Sequence, residues 1–288
     1  MQPGSAQPEG EPVVAPYLGA PHLGARSLNA EMDQPPDGWE AAQQLHRLKR
    51  QGGPHFEETT RRAVEAVVSR ARSLLRHARR PTAEQQHTWP DEGDLDLDAS
   101  LENPRPWQPS DLVVRRREPR DADVVAILDM SLSMTGEKIA LVAVAVAILR
   151  LTLGPVGLVA FDTEAHVLVP LGAPLPVREV VRRVLMVPAQ GYTHVSAGLE
   201  AGLEQLRRSS RRERVGLLLS DGIYNMGHDP VRIASRFPAL HVVQLGRDLP
   251  QGRRSCVGMA QAGRGKRFHA PTYAALPRVV KRVVRELF

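Results

Sequence analysis

The chain has 288 residues, 42% of them hydrophobic and 24% charged, with a formal net charge of +6; this is the balance of a soluble globular protein large enough for one or two domains. Cys256 is the only cysteine, which excludes an intramolecular disulfide and a cysteine-based zinc site and suits a reducing cytoplasm. Aromatic residues are only 4%, so the arginine excess reads as a solvated surface rather than a nucleic-acid-binding one, which would want aromatics to stack on bases.

Residues 1–54 are rich in Pro, Gly and Gln, and this composition predicts a mostly disordered tail. The N-terminus lacks the positive region and apolar core of a signal peptide. Trp39 to Gln51 predicts a short helix. Residues 57–80 form a clear amphipathic pattern: Val64, Val67, Val68, Ala71, Leu74, Leu75 and Ala78 recur at steps of three and four, with arginines on the other face. A helix docked on its own protein is the simplest reading.

Next comes "DEGDLDLDASLENP". Asp94, Asp96 and Asp98 resemble the start of a calcium loop, but Ala99 replaces the sixth-position Gly and Arg105 the twelfth-position Glu. Alternation with Leu95 and Leu97 predicts an edge strand with one buried face. Residues 55–119 are therefore expected to form a helical and extended appendage.

From residue 120 to 288 apolar strands alternate with helices. The strands are "ADVVAILD", "VGLVAFD", "HVLVPL", "RVGLLLSD", "LHVVQLG" and "KRFHA"; the helices are Gly136–Leu153, Val177–Leu185, His194–Arg208, Pro230–Arg236, Arg254–Ala262 and Tyr273–Leu287. This order predicts an α/β fold, a doubly wound, mostly parallel sheet flanked by helices. The longest apolar run, Ile139 to Leu149, is shorter than the ~18 residues that a membrane span needs.

In such sheets functional residues gather beyond the carboxyl ends of the strands. Asp129 ends one strand, Ser131 and Ser133 follow it in "DMSLSM", Thr193 precedes a helix in "QGYTHVSAGL", and Asp221 ends another strand in "LLLSDG". All five are hard oxygen donors. They suit Mg²⁺, then Mn²⁺ or Ca²⁺, rather than zinc or copper. Few of them are anionic, so a bound ion stays electron-poor and can accept a carboxylate from a partner at an open position. Any one of these residues alone would read as a helix cap or turn; Ser133 would cap the helix near Gly136.

Other patterns are decoys. No G-x-S-x-G elbow surrounds the serines, and His194 reads as a surface or supporting residue rather than a triad base. Gly258 and Gly263 have the interval of a phosphate loop, but Arg264-Gly265 replaces the required Lys-Ser/Thr.

The set Asp-x-Ser-x-Ser, Thr, Asp, here Asp129, Ser131, Ser133, Thr193 and Asp221, resembles the von Willebrand factor A (VWA) domain with its metal-ion-dependent adhesion site (MIDAS), over about residues 120–288. Leu132 stands where bacterial members usually have Gly, and "GYTHVSAGL" replaces a more usual "GGTNI", so Tyr192 and His194 are expected to alter access to the metal. The lead-in "DLDLDASLENP" and the basic "DLVVRRREPRDAD" further resemble bacterial CoxE-like proteins and chelatase-subunit VWA proteins. That resemblance implies a cytoplasmic, non-catalytic, Mg²⁺-dependent protein-binding module that partners a MoxR-type AAA+ ATPase in protein maturation or metal insertion. The alternative is a basic nucleic-acid-binding protein with the VWA domain as scaffold. Phosphoester hydrolysis ranks last, because the carboxylate-rich two-metal pattern is missing.

Overall fold

The structure is a computed structural model that describes residues 39–43, 45, 56–76, 82–88, 94–102, 108, 112–119, 122–131, 136–188 and 191–287. The tail predicted over residues 1–54 falls largely outside them; residues 39–43 and 45 are helical.

The last six residues of β4 (Ala122–Asp129) are all buried. Their period of two sends Val124, Ala126 and Leu128 to one core and Val125 and Ile127 to the other, so helices must cover both faces. Around β4 run β5 (Gly157–Phe161), β6 (Ala165–Val169), β7 (Glu213–Ser220), β8 (Ala239–Leu245) and β9 (Arg267–Ala270), in the order β6-β5-β4-β7-β8-β9. All neighbours are parallel except β6, which pairs antiparallel with β5. The expected doubly wound, mostly parallel sheet is therefore present. The chain leaves β4 toward β5 and returns on the other side to β7, so the winding reverses between β4 and β7. A crevice at the carboxyl ends of these two strands is where such a sheet binds ligands.

One face carries α3 (Glu137–Leu153), α4 (Val177–Met186) and α8 (Leu276–Leu287); the other carries α5 (Val195–Arg207), α6 (Pro230–Ala234) and α7 (Pro250–Ala262). Every residue of α3 from Ile139 to Arg150 is buried. A helix apolar on all sides needs cover beyond the sheet. Part of it comes from α1 (Phe56–Leu75), whose apolar face of Ala63, Val64, Val67, Val68 and Ala71 joins the same core cluster. The amphipathic helix docks on its own protein, as its pattern predicts. Arg178 on α4 pairs with Glu65 at 2.6 Å, and the Lys281 ammonium on α8 donates to the Leu74 carbonyl at 2.7 Å. On the opposite face α5 lies close to the sheet because Gly198 and Gly202 face it: a Cβ there would overlap the Phe161 ring and the Ile127 side chain.

Two boundaries differ from the sequence expectation by three residues or more. Helix α7 begins at Pro250, not at Arg254; Pro250 and Gly252 suggest a loop, yet proline at a first helical turn loses no hydrogen bond. The C-terminal segment opens as a 3₁₀ turn, Tyr273–Ala275, before α8.

A second sheet, β1 (Thr82–Thr88), β3 (Val113–Pro119) and β2 (Asp94–Asp96), is ordered β1-β3-β2. Its edge strand β2 has one buried face, as alternation predicts, and that face is the Asp96 side. It runs straight into the short helix α2 (Leu97–Leu101), and it buries Asp96 while Leu95 is 48% and Leu97 62% exposed. The reason is a counter-charge: the Asp96 carboxylate accepts from Arg115 at 2.6 Å, from Gln86 and from the Ala99 N–H at the start of α2. The aspartates thus lie on a strand and a helix rather than on a calcium loop.

Candidate metal site

Period-two alternation fixes which way the strand ends point. Asp129 shares the side of Val125 and Ile127, and Ser220 shares the side of Leu218, so both face α5 and α7. In the aligned register Leu128 lies opposite Leu219, which brings the next pair, Asp129 and Ser220, together.

The Asp129 carboxylate is 6% exposed. Its Oδ1 accepts the Ser131 N–H at 3.2 Å and its Oδ2 accepts the Ser220 hydroxyl at 2.9 Å. Burial pushes its pKa up to about 6, Asp221 adds repulsion, and hydrogen bonds from Ser131 and Ser220 only partly oppose this. No lysine or arginine pairs with it among the described residues. Ser220 Oγ in turn accepts the Gly222 N–H at 3.1 Å, tying β4 to the loop after β7.

Asp221 is half-buried and its Oδ1 accepts the Ile223 N–H at 2.8 Å. Burial raises its pKa, while that N–H and the charge of Lys138 oppose the rise. Its main chain is clamped by α7, because a Cβ on Gly252 would overlap the Asp221 carbonyl oxygen. Thr193 is placed by an exchange with the same β7–α6 loop: its N–H donates to Asn225 Oδ1 at 2.9 Å, and the Asn225 N–H donates to the Thr193 carbonyl at 3.3 Å. Just before it, the Tyr192 N–H donates to Thr163 Oγ1 at 2.9 Å. Lys138, in the first turn of α3, holds its ammonium 5.1 Å from the centre of the Tyr273 ring, and burial raises the Tyr273 phenol well above its ordinary range.

Of the five sequence-predicted residues, Asp129 ends β4 and Ser131, Thr193 and Asp221 lie in loops, and these hydrogen bonds tie the strand end and the loops together. Ser133 lies outside the described residues. Sequence reasoning missed Ser220, Asn225, Lys138 and Gly252. The signal for Ser220 was its parity with Asp129; the others have no sequence signal short of knowing which loops meet.

The donor chemistry fits a hard divalent cation. A carboxylate taken from water with only neutral hydrogen-bond donors retains lone pairs and an uncompensated charge. Hydroxyl oxygens stand beside it, and no soft donor is among them. Cys256 lies under this loop, with Sγ 2.5 Å from where a Gly222 Cβ would be, but it is wholly buried and burial pushes its thiol up to about 12.

The decoys resolve structurally. Gly258 sits inside the regular helix α7 rather than on a strand-to-helix loop. His194 is spent on packing: its Nδ1 lies 3.1 Å from the Thr163 carbonyl, which requires a protonated Nδ1, and its backbone N–H donates to the Asp162 carbonyl.

A family model described as "VWA domain containing CoxE-like protein" matches residues 60–241, well over half of the chain. No protein of curated function matches it by sequence. Among solved structures it is similar to an aerotolerance-related membrane protein from Bacteroides fragilis NCTC 9343, with 15% identity, a TM-score of 0.48, and 58% of this chain covering 100% of that one. It is also similar to BatB from Bacteroides thetaiotaomicron (15% identity, TM-score 0.44, 58% of this chain and 98% of that one). A third is proximal thread matrix protein 1 from the mussel byssus, solved with a zinc-occupied MIDAS motif; identity is 18%, the TM-score 0.48, and 57% of this chain covers 47% of that one. Membership of a family rests on the family match and not on these distant overlaps.

Proposed function

From the premise that this chain belongs to the family of VWA domain containing CoxE-like proteins, we propose that it is a metal-dependent protein-binding module whose ligands are Asp129, Ser131, Ser133, Thr193 and Asp221. Mg²⁺ is the first choice of ion, with Mn²⁺ or Ca²⁺ next, because the donors are hard and mostly neutral. When bound, the ion supplies a Lewis-acidic point charge that takes an acidic side chain from a partner protein.

The observation that carries this reading is the Asp129 carboxylate, buried and without a cationic partner among the described residues. The chain's own residues do the positioning. Ser220 and the Ser131 N–H orient the two Asp129 oxygens. Asn225 fixes the Thr193 loop, and Gly252 on α7 fixes the Asp221 backbone. Tyr192, 63% exposed beside Thr193, limits approach to the site.

We further propose that residues 120–288 are the VWA domain and residues 55–119 an appendage that buttresses and extends it. The module acts in the cytoplasm, without an ATPase motif of its own, beside a MoxR-type AAA+ ATPase in protein maturation or metal insertion. The test titrates Mg²⁺, Mn²⁺ and Ca²⁺ calorimetrically into the full chain and into Asp129→Ala, then measures capture of the AAA+ protein with and without EDTA. Saturable binding and EDTA-sensitive capture, both lost in the variant, are expected. Equal capture by both proteins, with or without EDTA, would defeat the proposal.

A further inference from the structure

Among the described residues, the well-exposed large hydrophobic side chains fall into two groups, apart from Val167 on β6. One lies on the second sheet and its helix: Leu95 at 48%, Leu97 at 62% and Leu101 at 58% exposed. Exposed acids, Asp94, Asp98 and Glu102, alternate with these leucines. Asp96 does not compete, because Arg115 holds it inward.

The other group rings the candidate metal site. Tyr192 at 63%, Met226 at 41% and Leu249 at 47% exposed come from three different loops. Tyr192 adjoins Thr193, and Met226 follows the Asn225 that binds Thr193. Leu249 caps the helix whose Gly252 touches Asp221. The flank here is basic. Arg247, Arg253 and Arg254 are exposed, and the one acid among them, Asp248, already pairs with Arg253 at 2.8 Å and Arg267 at 2.7 Å.

The two groups are complementary in kind: acids with leucines on one, a cation site with apolar side chains and arginines on the other. In the chain they belong to different sheets. The appendage enters the main sheet at the amino end of β4, three residues after Pro119, while the site lies at the carboxyl end. The eight residues of β4 put about 23 Å between the two ends at ~3.3 Å per residue step. A second copy can bring the two surfaces together whatever their separation in one chain.

We propose that the acidic, leucine-bearing arm of one copy docks on the metal edge of another, with Asp98 as the carboxylate that reaches the cation, Leu97 and Leu101 against Tyr192, Met226 and Leu249, and Asp94 and Glu102 facing the arginines. This rests on the metal-dependent reading above. The contact joins unlike surfaces, so each added copy leaves one free arm and one free site, and association continues head to tail unless geometry closes it into a ring. Self-association through such a contact grows with concentration and competes with any acidic partner for the same edge.

Sedimentation velocity on the full chain, from micromolar to near-millimolar concentration, tests this. The expected result is a mass that rises with concentration in Mg²⁺ and returns to the monomer in EDTA. Asp98→Asn, and independently Leu97→Ser, weaken self-association roughly tenfold or more, as loss of one charge-assisted or apolar anchor would. Asp129→Asn does the same from the other side. An equimolar mixture of Asp98→Asn and Asp129→Asn then forms a dimer and nothing larger, because only one intact arm and one intact site remain to pair. Wild-type association by Asp98→Asn, or a monomeric mixture, overturns the proposal. Mg²⁺ calorimetry on the same samples separates the readings. A chain that binds Mg²⁺ yet stays monomeric refutes the head-to-tail contact alone. A chain that binds no Mg²⁺ refutes the metal reading and this inference with it.

Discussion

Asp129 and Asp96 are both carboxylates withdrawn from water, 6% and 5% exposed, and the chain treats them in opposite ways. Asp96, in the appended sheet, has its counter-charge built in. Burial opposes its ionisation, but the Arg115 guanidinium at 2.6 Å and the Ala99 N–H more than offset this, so its carboxyl is held below the usual range. Asp129, at the edge of the main sheet, receives only neutral donors, and burial pushes it up to about 6. One carboxylate is part of the scaffold. The other has no counter-charge among the described residues, which is the electrostatic setting that the proposed cation site would use.

The largest test of this contrast exchanges each acid for its amide and melts both variants in EDTA and in excess Mg²⁺. In EDTA, Asp129→Asn is expected to melt no lower than wild type and to gain about 1–2 kcal/mol, because a buried, uncompensated charge is removed. Asp96→Asn is expected to melt lower, since it replaces the charge-assisted contact with Arg115 by a neutral one. In Mg²⁺ at about 100 times the Kd, wild type and Asp96→Asn gain about 2.7 kcal/mol from ligand linkage, roughly 5–10 °C for a chain of this size. Asp129→Asn gains none. If both variants fall equally in EDTA, the two acids are alike and the contrast fails.

His241 shows a third way to bury a titratable group, which is to keep it neutral. It is 8% exposed, and its Nδ1 accepts the Lys266 N–H at 2.9 Å, so that nitrogen carries no proton. Burial first, then the Lys266 charge, pushes its pKa down to about 4. The unfolded ring binds its proton near pH 6.5. The folded state therefore has its full advantage above that pH. It loses stability as pH falls from about 6.5 to about 4, and loses no more below. The difference is worth about 2 kcal/mol, because the ring keeps some contact with water. Urea melts of wild type and His241→Asn across that window check it: the gap between the two curves narrows with acid if the argument holds and stays constant if it does not.

The main sheet was legible because its strands are apolar on both faces and end in abrupt polar residues. Asp129 and Asp221 were visible as strand-terminal acids, and Ser131 and Thr193 by their spacing from strand or helix. Ser220 was equally visible in principle, since it shares the parity of Asp129, but a serine one residue before an acid reads as the end of a strand. Asn225, Lys138 and Gly252 depend on which loops meet, and no local pattern encodes that. The β2 segment was legible only in part. Alternation defines two faces without saying which is buried; Arg115 on the neighbouring strand made the Asp96 face the one to bury. The role of α1 was half legible. Its apolar stripe was evident, whereas its seat became evident only once α3 proved buried on every side from Ile139 to Arg150.

Glu65 completes the series as a carboxylate with a counter-charge but without burial. It pairs with Arg178 at 2.6 Å, yet the two side chains are 48% and 58% exposed. Water already solvates both, and salt screens what remains, so Glu65→Gln is expected to cost only about 0.2–1 kcal/mol, the smallest of these effects. The hold of α1 on the domain comes instead from Val64, Val67, Val68 and Ala71, which are buried whether or not the ion pair forms. Thermal melts at low and high salt decide the matter. A small, salt-erased loss keeps burial as the variable that separates Asp129 from Asp96. A loss as large as that of Asp96→Asn would mean that pairing itself, irrespective of burial, sets the weight of a carboxylate in this fold.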